Sequence, residues 1–140
     1  MSAKYFLDTN IFAYCFDDRD PAKKERSLSL IAEALQTGSG IISWQVVQEF
    51  LNIATQKFSV PLKIGDAKIY LQKVLDPLCQ VFPDSGLYQA ALELQNETGY
   101  GFYACLILAS AGRGECSLVY SEDMQDGRRI AGIEIRNPFI

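Results

Sequence analysis

Three acidic residues occupy positions from which a folded chain would bring them together. Asp8 directly follows an apolar run at residues 5–7, and Asp123 lies just beyond a second run at residues 117–120. Glu49 lies in the helical pattern that follows a third apolar run. If these runs are parallel strands, the acids gather at one edge of a sheet, where open α/β sheets bind their ligands. Clustered carboxylates raise one another's pKa, and a divalent cation relieves that repulsion. Mg²⁺ or Mn²⁺ held there would activate a water for phosphodiester hydrolysis.

Two of these acids also have an ordinary structural interpretation. Asp8 begins the polar stretch Asp8-Thr9-Asn10 ahead of a helical pattern, and all three residue types are good helix N-caps. Glu49 interrupts an apolar helix face, so it would either emerge at the edge of the buried stripe or point into a pocket with other acids. The residues alone leave both interpretations open.

Short apolar runs alternate with helical patterns along the whole chain. This alternation predicts the α/β class, as a three-layer α/β/α sandwich with a mainly parallel central sheet. No repeat, low-complexity segment or linker interrupts the pattern, so we expect a single domain over residues 1–140. The predicted strands are residues 5–7, 41–42, 78–82, 117–120 and 133–135, and the predicted helices include residues 23–36, 44–57, 64–75 and 101–111.

Helical spacing also predicts which side chains face the core. Ser43 is expected to cap the helix at residues 44–57, and Asp84 or Ser85 the one after the third strand. Ile69 is expected to point inward from the helix at residues 64–75. The side chains expected to share the inner face of the helix at residues 23–36 are Leu28, Ile31, Ala32 and Leu35.

Composition excludes several kinds of protein. The chain has no histidine, which excludes a serine–histidine hydrolase and leaves oxygen ligands for any metal. The net charge of −4 does not favour a protein that holds nucleic acid by charge alone, although a bound metal would reverse the local field. The four cysteines lack metal-ligand spacing and lie among apolar neighbours, which indicates buried, reduced thiols and a reducing compartment.

The same composition argues against a membrane protein. No apolar run approaches the roughly 20 residues that a membrane span needs. Met1-Ser2-Ala3-Lys4 leads directly into the first predicted strand, so we expect no signal peptide. The protein is therefore expected to be soluble and cytoplasmic.

Four stretches of the sequence resemble one known family. Phe-Leu-Asp-Thr-Asn-Ile at residues 6–11 resembles its first motif, and Ser-Trp-Gln-Val-Val-Gln-Glu-Phe at residues 43–50 its second. Tyr-Ser-Glu-Asp-Met-Gln at residues 120–125 and Ile-Arg-Asn-Pro-Phe at residues 135–139 resemble the end of its domain. The family is the PIN-domain endoribonucleases, and the chain is most similar to the toxin subunit of bacterial VapBC-type toxin–antitoxin pairs.

The resemblance implies roles for particular residues and partners. Asp8, Glu49 and Asp123 would be the acids of a Mg²⁺ or Mn²⁺ pocket. Glu122 would either contribute or face solvent, and we favour Asp123. The implied partners are an RNA substrate, a cognate antitoxin whose C-terminal segment fills a groove, and a second copy in a homodimer. The polar residues that would orient the acids or contact a phosphate are Thr9, Asn10 and Ser121.

One position departs from the family pattern. The helix that usually reads aromatic-Asp-Ala-Leu-Ile reads Tyr-Ala-Cys-Leu-Ile here, so Ala104 stands where a further acid is expected. The resemblance therefore implies weak metal binding and poor cleavage. Ala104 is either a deliberate inactivating substitution or the mark of a natural, weakened member. We favour the first, because the other acidic motifs are intact.

Other functions fit the sequence less well. The haloacid-dehalogenase pattern needs a second aspartate where this chain has Asn10, the receiver pattern needs an acidic pair at the first strand, and no Walker-type loop occurs. The remaining alternative is a catalytically weakened PIN-like module that binds RNA or an antitoxin. In that case Arg113, Arg128 and Arg129 would contact RNA phosphates, unless they are simply solvated.

Overall fold

A single sheet forms the centre of the molecule. The computed structural model describes residues 3–140, and across them six strands pair in the order β3-β2-β1-β4-β6-β5. Every neighbouring pair is parallel except β5 with β6, which confirms the predicted mainly parallel α/β sheet. The expectation about a signal peptide partly concerns Met1 and Ser2, which lie outside the described residues. The strands are β1 (Tyr5–Leu7), β2 (Gly40–Ser43), β3 (Cys79–Val81), β4 (Leu118–Tyr120), β5 (Arg129–Ile130) and β6 (Ile133–Arg136).

Helices cover both faces of the sheet. Because crossovers between parallel strands are right-handed, this strand order puts the helices that link β1, β2 and β3 on one face and the pair between β3 and β4 on the other. Within residues 3–140, no helix has the length and hydropathy of a membrane span. The helices are α1 (Thr9–Tyr14), α2 (Pro21–Thr37), α3 (Trp44–Gln56), α4 (Ile64–Tyr70), which continues through a π-helical turn (Leu71–Leu75) into α5 (Asp76–Leu78), α6 (Ser85–Thr98) and α7 (Phe102–Arg113).

The direction of the strand order changes between β1 and β4. The chain builds outward from β1 to β2 and β3, then returns to place β4 on the other side of β1. Such a switch point leaves a crevice at the carboxyl ends of the two central strands. Asp8 follows β1, and the segment with Asp123 follows β4, so both lie at this crevice.

The predicted inner face of α2 is wrong by about one position. Leu28 and Leu35 are 49% and 40% exposed, whereas Ser27 and Ala34 are completely buried. The reason is the close approach of α2 to the sheet: a Cβ atom on Gly40 of β2 would lie only 2.5 Å from the Cβ of Ala34. Small side chains let α2 approach β2 closely. This close approach, rather than the size of the apolar side chains, decides which residues of α2 are buried. The side chains that α2 buries are Ser27, Leu30, Ile31 and Ala34.

The prediction for Ile69 is also wrong. Its side chain is 58% exposed, while Ala67 and Leu75 are buried. Two residues along a helix correspond to a rotation of about 200°, so Ile69 points away from the face that Ala67 buries.

Candidate active site

Asp8 serves both as a helix cap and as part of the crevice. Its backbone is extended, and its Oδ1 accepts a 2.7 Å hydrogen bond from the Thr9 N–H at the start of α1. Its Oδ2 accepts a 2.8 Å hydrogen bond from the hydroxyl of Ser121, which lies 113 residues away at the end of β4. The structural and chemical interpretations of Asp8 are therefore compatible, because each uses a different oxygen.

Asp123 is held beside Asp8 by two neutral side chains. The buried Ser121 hydroxyl accepts a 3.2 Å hydrogen bond from the Asp123 N–H. Asn10 donates a 3.0 Å hydrogen bond from its amide to Asp123 Oδ2. The loops that follow β1 and β4 are thus fastened to each other across the crevice.

Glu49 reaches the same crevice from α3. The Thr9 hydroxyl donates a long hydrogen bond of 3.4 Å to Glu49 Oε1. The side chain is half-buried where α3 packs against α1. Of the two interpretations of Glu49, the contact with Thr9 agrees with the one that turns it toward the other acids.

The three acids lie in one negative field. The pKa of Asp8 is raised to about 6, chiefly by burial and also by the charges of Asp123 and Glu49, against the lowering effect of its hydrogen bonds from Ser121 and Thr9. Burial raises the pKa of Glu49, and the Asp123 charge adds to the rise. Burial and the Glu122 charge raise the pKa of Asp123. All three carboxyls therefore hold their protons more tightly than in water, as expected where negative charge gathers.

The donor types fit a hard divalent cation, although the carboxylates stand apart. Oxygen ligands are those that Mg²⁺ and Mn²⁺ prefer. Among residues 3–140, no three acidic or cysteine side chains form a ready ligand cluster. The acids are instead spaced by the hydroxyls of Thr9 and Ser121 and by the Asn10 amide. The chemical types of these side chains therefore suit a divalent cation.

Glu122 turns away from the three acids. Its Oε2 accepts a 2.9 Å hydrogen bond from the Lys23 ammonium, and its Oε1 accepts one from the Tyr14 hydroxyl. The Lys23 ammonium also lies 4.7 Å from the centre of the Tyr14 ring and 5.4 Å from that of Phe139. This ion pair ties the loop with Asp123 to α1 and α2. Lys23 and Tyr14 were not foreseen, because no local pattern reveals a contact this distant in sequence.

Ala104 lies at the start of α7, between two elements of the crevice. The neighbouring Tyr103 carbonyl accepts a 3.2 Å hydrogen bond from the Gln45 amide on α3. The Tyr100 hydroxyl accepts a 3.0 Å hydrogen bond from the Gln125 N–H, in the loop that carries Asp123. Ala104 itself is half-buried and ends at Cβ, so it offers no ligand there.

The family model of the PIN domain matches residues 5–132. The chain belongs to the PIN domain family. The matched region includes β1, α3 and the loop after β4, and so contains every acid discussed above. No curated protein matches the chain in sequence.

Solved structures share this PIN domain fold at low sequence identity. The DNA-bound VapBC of Salmonella typhimurium has a TM-score of 0.65 and 20% identity, over 98% of this chain and 99% of that one. VapBC2 of Rickettsia felis, bound to a promoter DNA fragment, has a TM-score of 0.64 and 18% identity, over 95% of this chain and 97% of that one. FitAB bound to the IR36 DNA fragment has a TM-score of 0.65 and 16% identity, over 97% of this chain and 96% of that one. At such identities the likeness shows the fold alone.

The arginines of this PIN domain that were candidates for phosphate contacts have protein partners. Arg113 pairs with Asp84 at 2.7 Å, and Arg129 pairs with Glu134 at 3.0 Å. Arg128 donates a 3.2 Å hydrogen bond to a backbone carbonyl and lies 4.9 Å from the centre of an aromatic ring. These contacts within the protein account for the presence of the three arginines without a nucleic acid.

Proposed function

We propose that this chain is a metal-dependent endoribonuclease that hydrolyses RNA phosphodiester bonds, and the toxin of a type II toxin–antitoxin pair. The observation that carries the proposal is the set of hydrogen bonds from Thr9, Asn10 and Ser121 at the ends of β1 and β4. These bonds engage the carboxylates of Glu49, Asp123 and Asp8, respectively. Membership of the PIN domain family supports a nuclease. The fold shared with VapBC and FitAB supports the toxin role.

In this proposal the three acids hold Mg²⁺ or Mn²⁺. When bound, the ion would polarise the phosphodiester and favour ionisation of the attacking water. Thr9 and Ser121 fix Glu49 and Asp8 by hydrogen bonds, so that these carboxylates keep their direction. Asn10 orients Asp123, and its amide is also placed to donate to a phosphate oxygen. We assign Glu122 to holding the loop in place rather than to binding metal.

We further propose that Ala104 impairs the chain. Restoring the acid at this position is the direct test, because it adds one carboxylate to the pocket. Ala104→Asp should raise Mn²⁺-dependent cleavage of a single-stranded RNA at least about tenfold, since one group that stabilises the transition state is commonly worth that much or more. Ala32→Asp, on the exposed side of α2, controls for the added negative charge. Equal cleavage by Ala104→Asp and the unsubstituted chain would refute the impairment.

The second candidate is a weakened PIN-like module that binds RNA or an antitoxin without cutting. The absence of a side-chain ligand at Ala104 is the observation that favours it. RNA binding without cleavage, even by Ala104→Asp, would decide for this candidate. In either case we propose one PIN-like domain over residues 1–140, a cognate antitoxin, a homodimer and a cytoplasmic location. Light scattering of the isolated chain tests the dimer.

A further inference from the structure

A cavity of about 410 Å³ lies beside the acidic crevice and is walled by aromatic rings. It opens where α3, α6 and α7 begin, and Trp44, Tyr88, Phe102 and Tyr103 line it. Tyr103 is 68% exposed and Tyr88 41% exposed, so flat apolar surface is available to a ligand. None of the described residues that line the cavity is charged. The cavity therefore suits a neutral, flat group.

Three of the described residues that line this cavity carry buried polar atoms without a partner. Across residues 3–140, five buried side-chain oxygens have no hydrogen-bond partner, and three of them belong to Ser43, Gln45 and Ser110. All three residues line the cavity, and the serines are 2% and 0% exposed. Ser43 is the N-cap residue of α3, but contrary to expectation its hydroxyl makes no capping bond. Buried polar groups in native proteins are normally paired, so these atoms point to a ligand with a polar edge.

The cavity lies next to the acidic crevice along α3, because its lining residue Gln48 directly precedes Glu49. The Gln45 amide on α3 donates a 3.2 Å hydrogen bond to the Tyr103 carbonyl on α7. Tyr103 directly precedes Ala104 on α7. Gln45 lies four residues, about one helical turn, before Glu49 on α3, so a ligand that contacts Gln45 would lie on the same side of α3 as this acid.

We propose that the cavity receives an unpaired nucleobase of a single-stranded RNA whose backbone lies at the acidic crevice. The inference rests on the proposed function and adds a base-binding subsite to it. A nucleobase has a flat face that stacks on aromatic rings and an edge of donors and acceptors for Ser43, Gln45 and Ser110. Its neutrality matches the uncharged wall.

A second copy of the chain matches the cavity less well. Apolar side chains from a copy would cover the rings but leave the buried hydroxyls without partners. A copy seated there would also bring a second acidic crevice close to the first, although each chain already carries a net charge of −4. The nucleobase satisfies both the apolar and the polar features.

Trp44 provides the measurement, because it is the only tryptophan in the chain. An oligouridylate should quench Trp44 emission in a saturable way, with Mn²⁺ present to bring the phosphates to the acids. An abasic oligomer of the same length carries the same phosphates and should leave the emission unchanged. Quenching by both oligomers alike would assign the effect to the backbone and overturn the proposal.

Variants at Tyr103 test the stacking. Tyr103→Ala should weaken oligouridylate binding at least about fivefold, because stacking of one base on an aromatic ring is commonly worth that much or more. Tyr103→Phe should retain binding, since it keeps the ring. Ile69→Ala removes a similarly exposed apolar side chain on α4 and should have no effect. Equal binding by Tyr103→Ala and Tyr103→Phe would overturn the proposal.

The remaining outcomes separate this inference from the proposed function. Cleavage of the same RNA by Ala104→Asp without any change in Trp44 emission would overturn the subsite and leave the nuclease intact. Neither cleavage nor binding would overturn both. A Trp44 emission that depends on protein concentration without RNA, with a dimer that Tyr103→Ala dissociates, would assign the cavity to a second copy and overturn the subsite.

Discussion

Replacing Asp8 with asparagine measures the electrostatic cost of assembling the acidic crevice. Burial, together with the charges of two neighbouring acids, raises the pKa of this carboxyl from 3.8 to about 6. The folded protein therefore binds a proton at Asp8 over a range where the unfolded chain has released it. The contribution of Asp8 to the free energy of unfolding should therefore fall by about 3 kcal/mol as pH rises from about 4 to about 6. Above that range Asp8 is ionised in both the folded and the unfolded state, and its contribution to the free energy of unfolding falls no further.

Asp8→Asn removes the charge and keeps the cap. The asparagine side-chain oxygen still accepts from the Thr9 N–H, and its amide group suits the Ser121 hydroxyl, which also has acceptor capacity. Without divalent metal, the variant should be more stable than the unsubstituted chain at neutral pH, by up to about 3 kcal/mol. At a pH of about 4 or below, this advantage should disappear, because Asp8 is then protonated in both states.

Urea denaturation across this pH range, in the presence of a chelator, gives the measurement. Glu93→Gln, at an exposed position on α6, controls for the loss of one negative charge. Adding Mn²⁺ at neutral pH should stabilise the unsubstituted chain and leave Asp8→Asn unchanged, because the variant lacks the proposed ligand. If the free energy of unfolding depends on pH in the same way for both proteins, the reasoning is refuted, since the pKa of Asp8 would then not differ between the folded and unfolded states.

Two further substitutions test the scaffold. Glu122→Gln should lower the free energy of unfolding by about 1 kcal/mol through loss of the ion pair with Lys23, and should spare Mn²⁺ binding measured by calorimetry. Loss of Mn²⁺ binding as complete as in Asp123→Asn would contradict this assignment. Gly40→Ala should cost about 1–3 kcal/mol in urea denaturation, because the new methyl group would meet Ala34. Gly65→Ala, where the added Cβ meets nothing within 4 Å, is its control, and equal effects would contradict the close approach.

Strand ends were the part of the site that local sequence could predict. The apolar run before Asp8 stops at polar residues, and the run before Ser121 does the same, so both junctions were recognisable. Their meeting follows from the parallel sheet, in which Leu7 and Tyr120 are direct neighbours. The part that could not be predicted is which acid faces the crevice. Adjacent acids at 122 and 123 look alike in sequence, and only contacts from α1 and α2 turn Glu122 aside.

The strand β5 shows a different limit. Ile130 pairs with Ile133 across a two-residue turn, and both turn residues have positive φ, 51° at Ala131 and 80° at Gly132. Hairpin turns of this kind usually carry Asn-Gly or Asp-Gly, because these residues tolerate positive φ. An alanine at the first turn position hides that signal, so the antiparallel edge strand was not predicted.

The alanine at position 104 is compatible with the fold because neutral groups hold the crevice together. Asp8 is fixed by a hydroxyl and a backbone N–H, Asp123 by an amide, and Glu49 by a hydroxyl. None of these bonds involves residue 104, so its side chain is not required to position the acids. A further carboxylate there would add charge to a field that already raises the pKa of Asp8. If residue 104 faces the acids as proposed, alanine is electrostatically favourable there in the absence of metal, and only a bound cation would make a fourth acid favourable. An acid at position 104 would therefore disfavour the metal-free crevice but favour metal binding. Substitutions at this position can for that reason distinguish the stability of the crevice from its proposed chemistry.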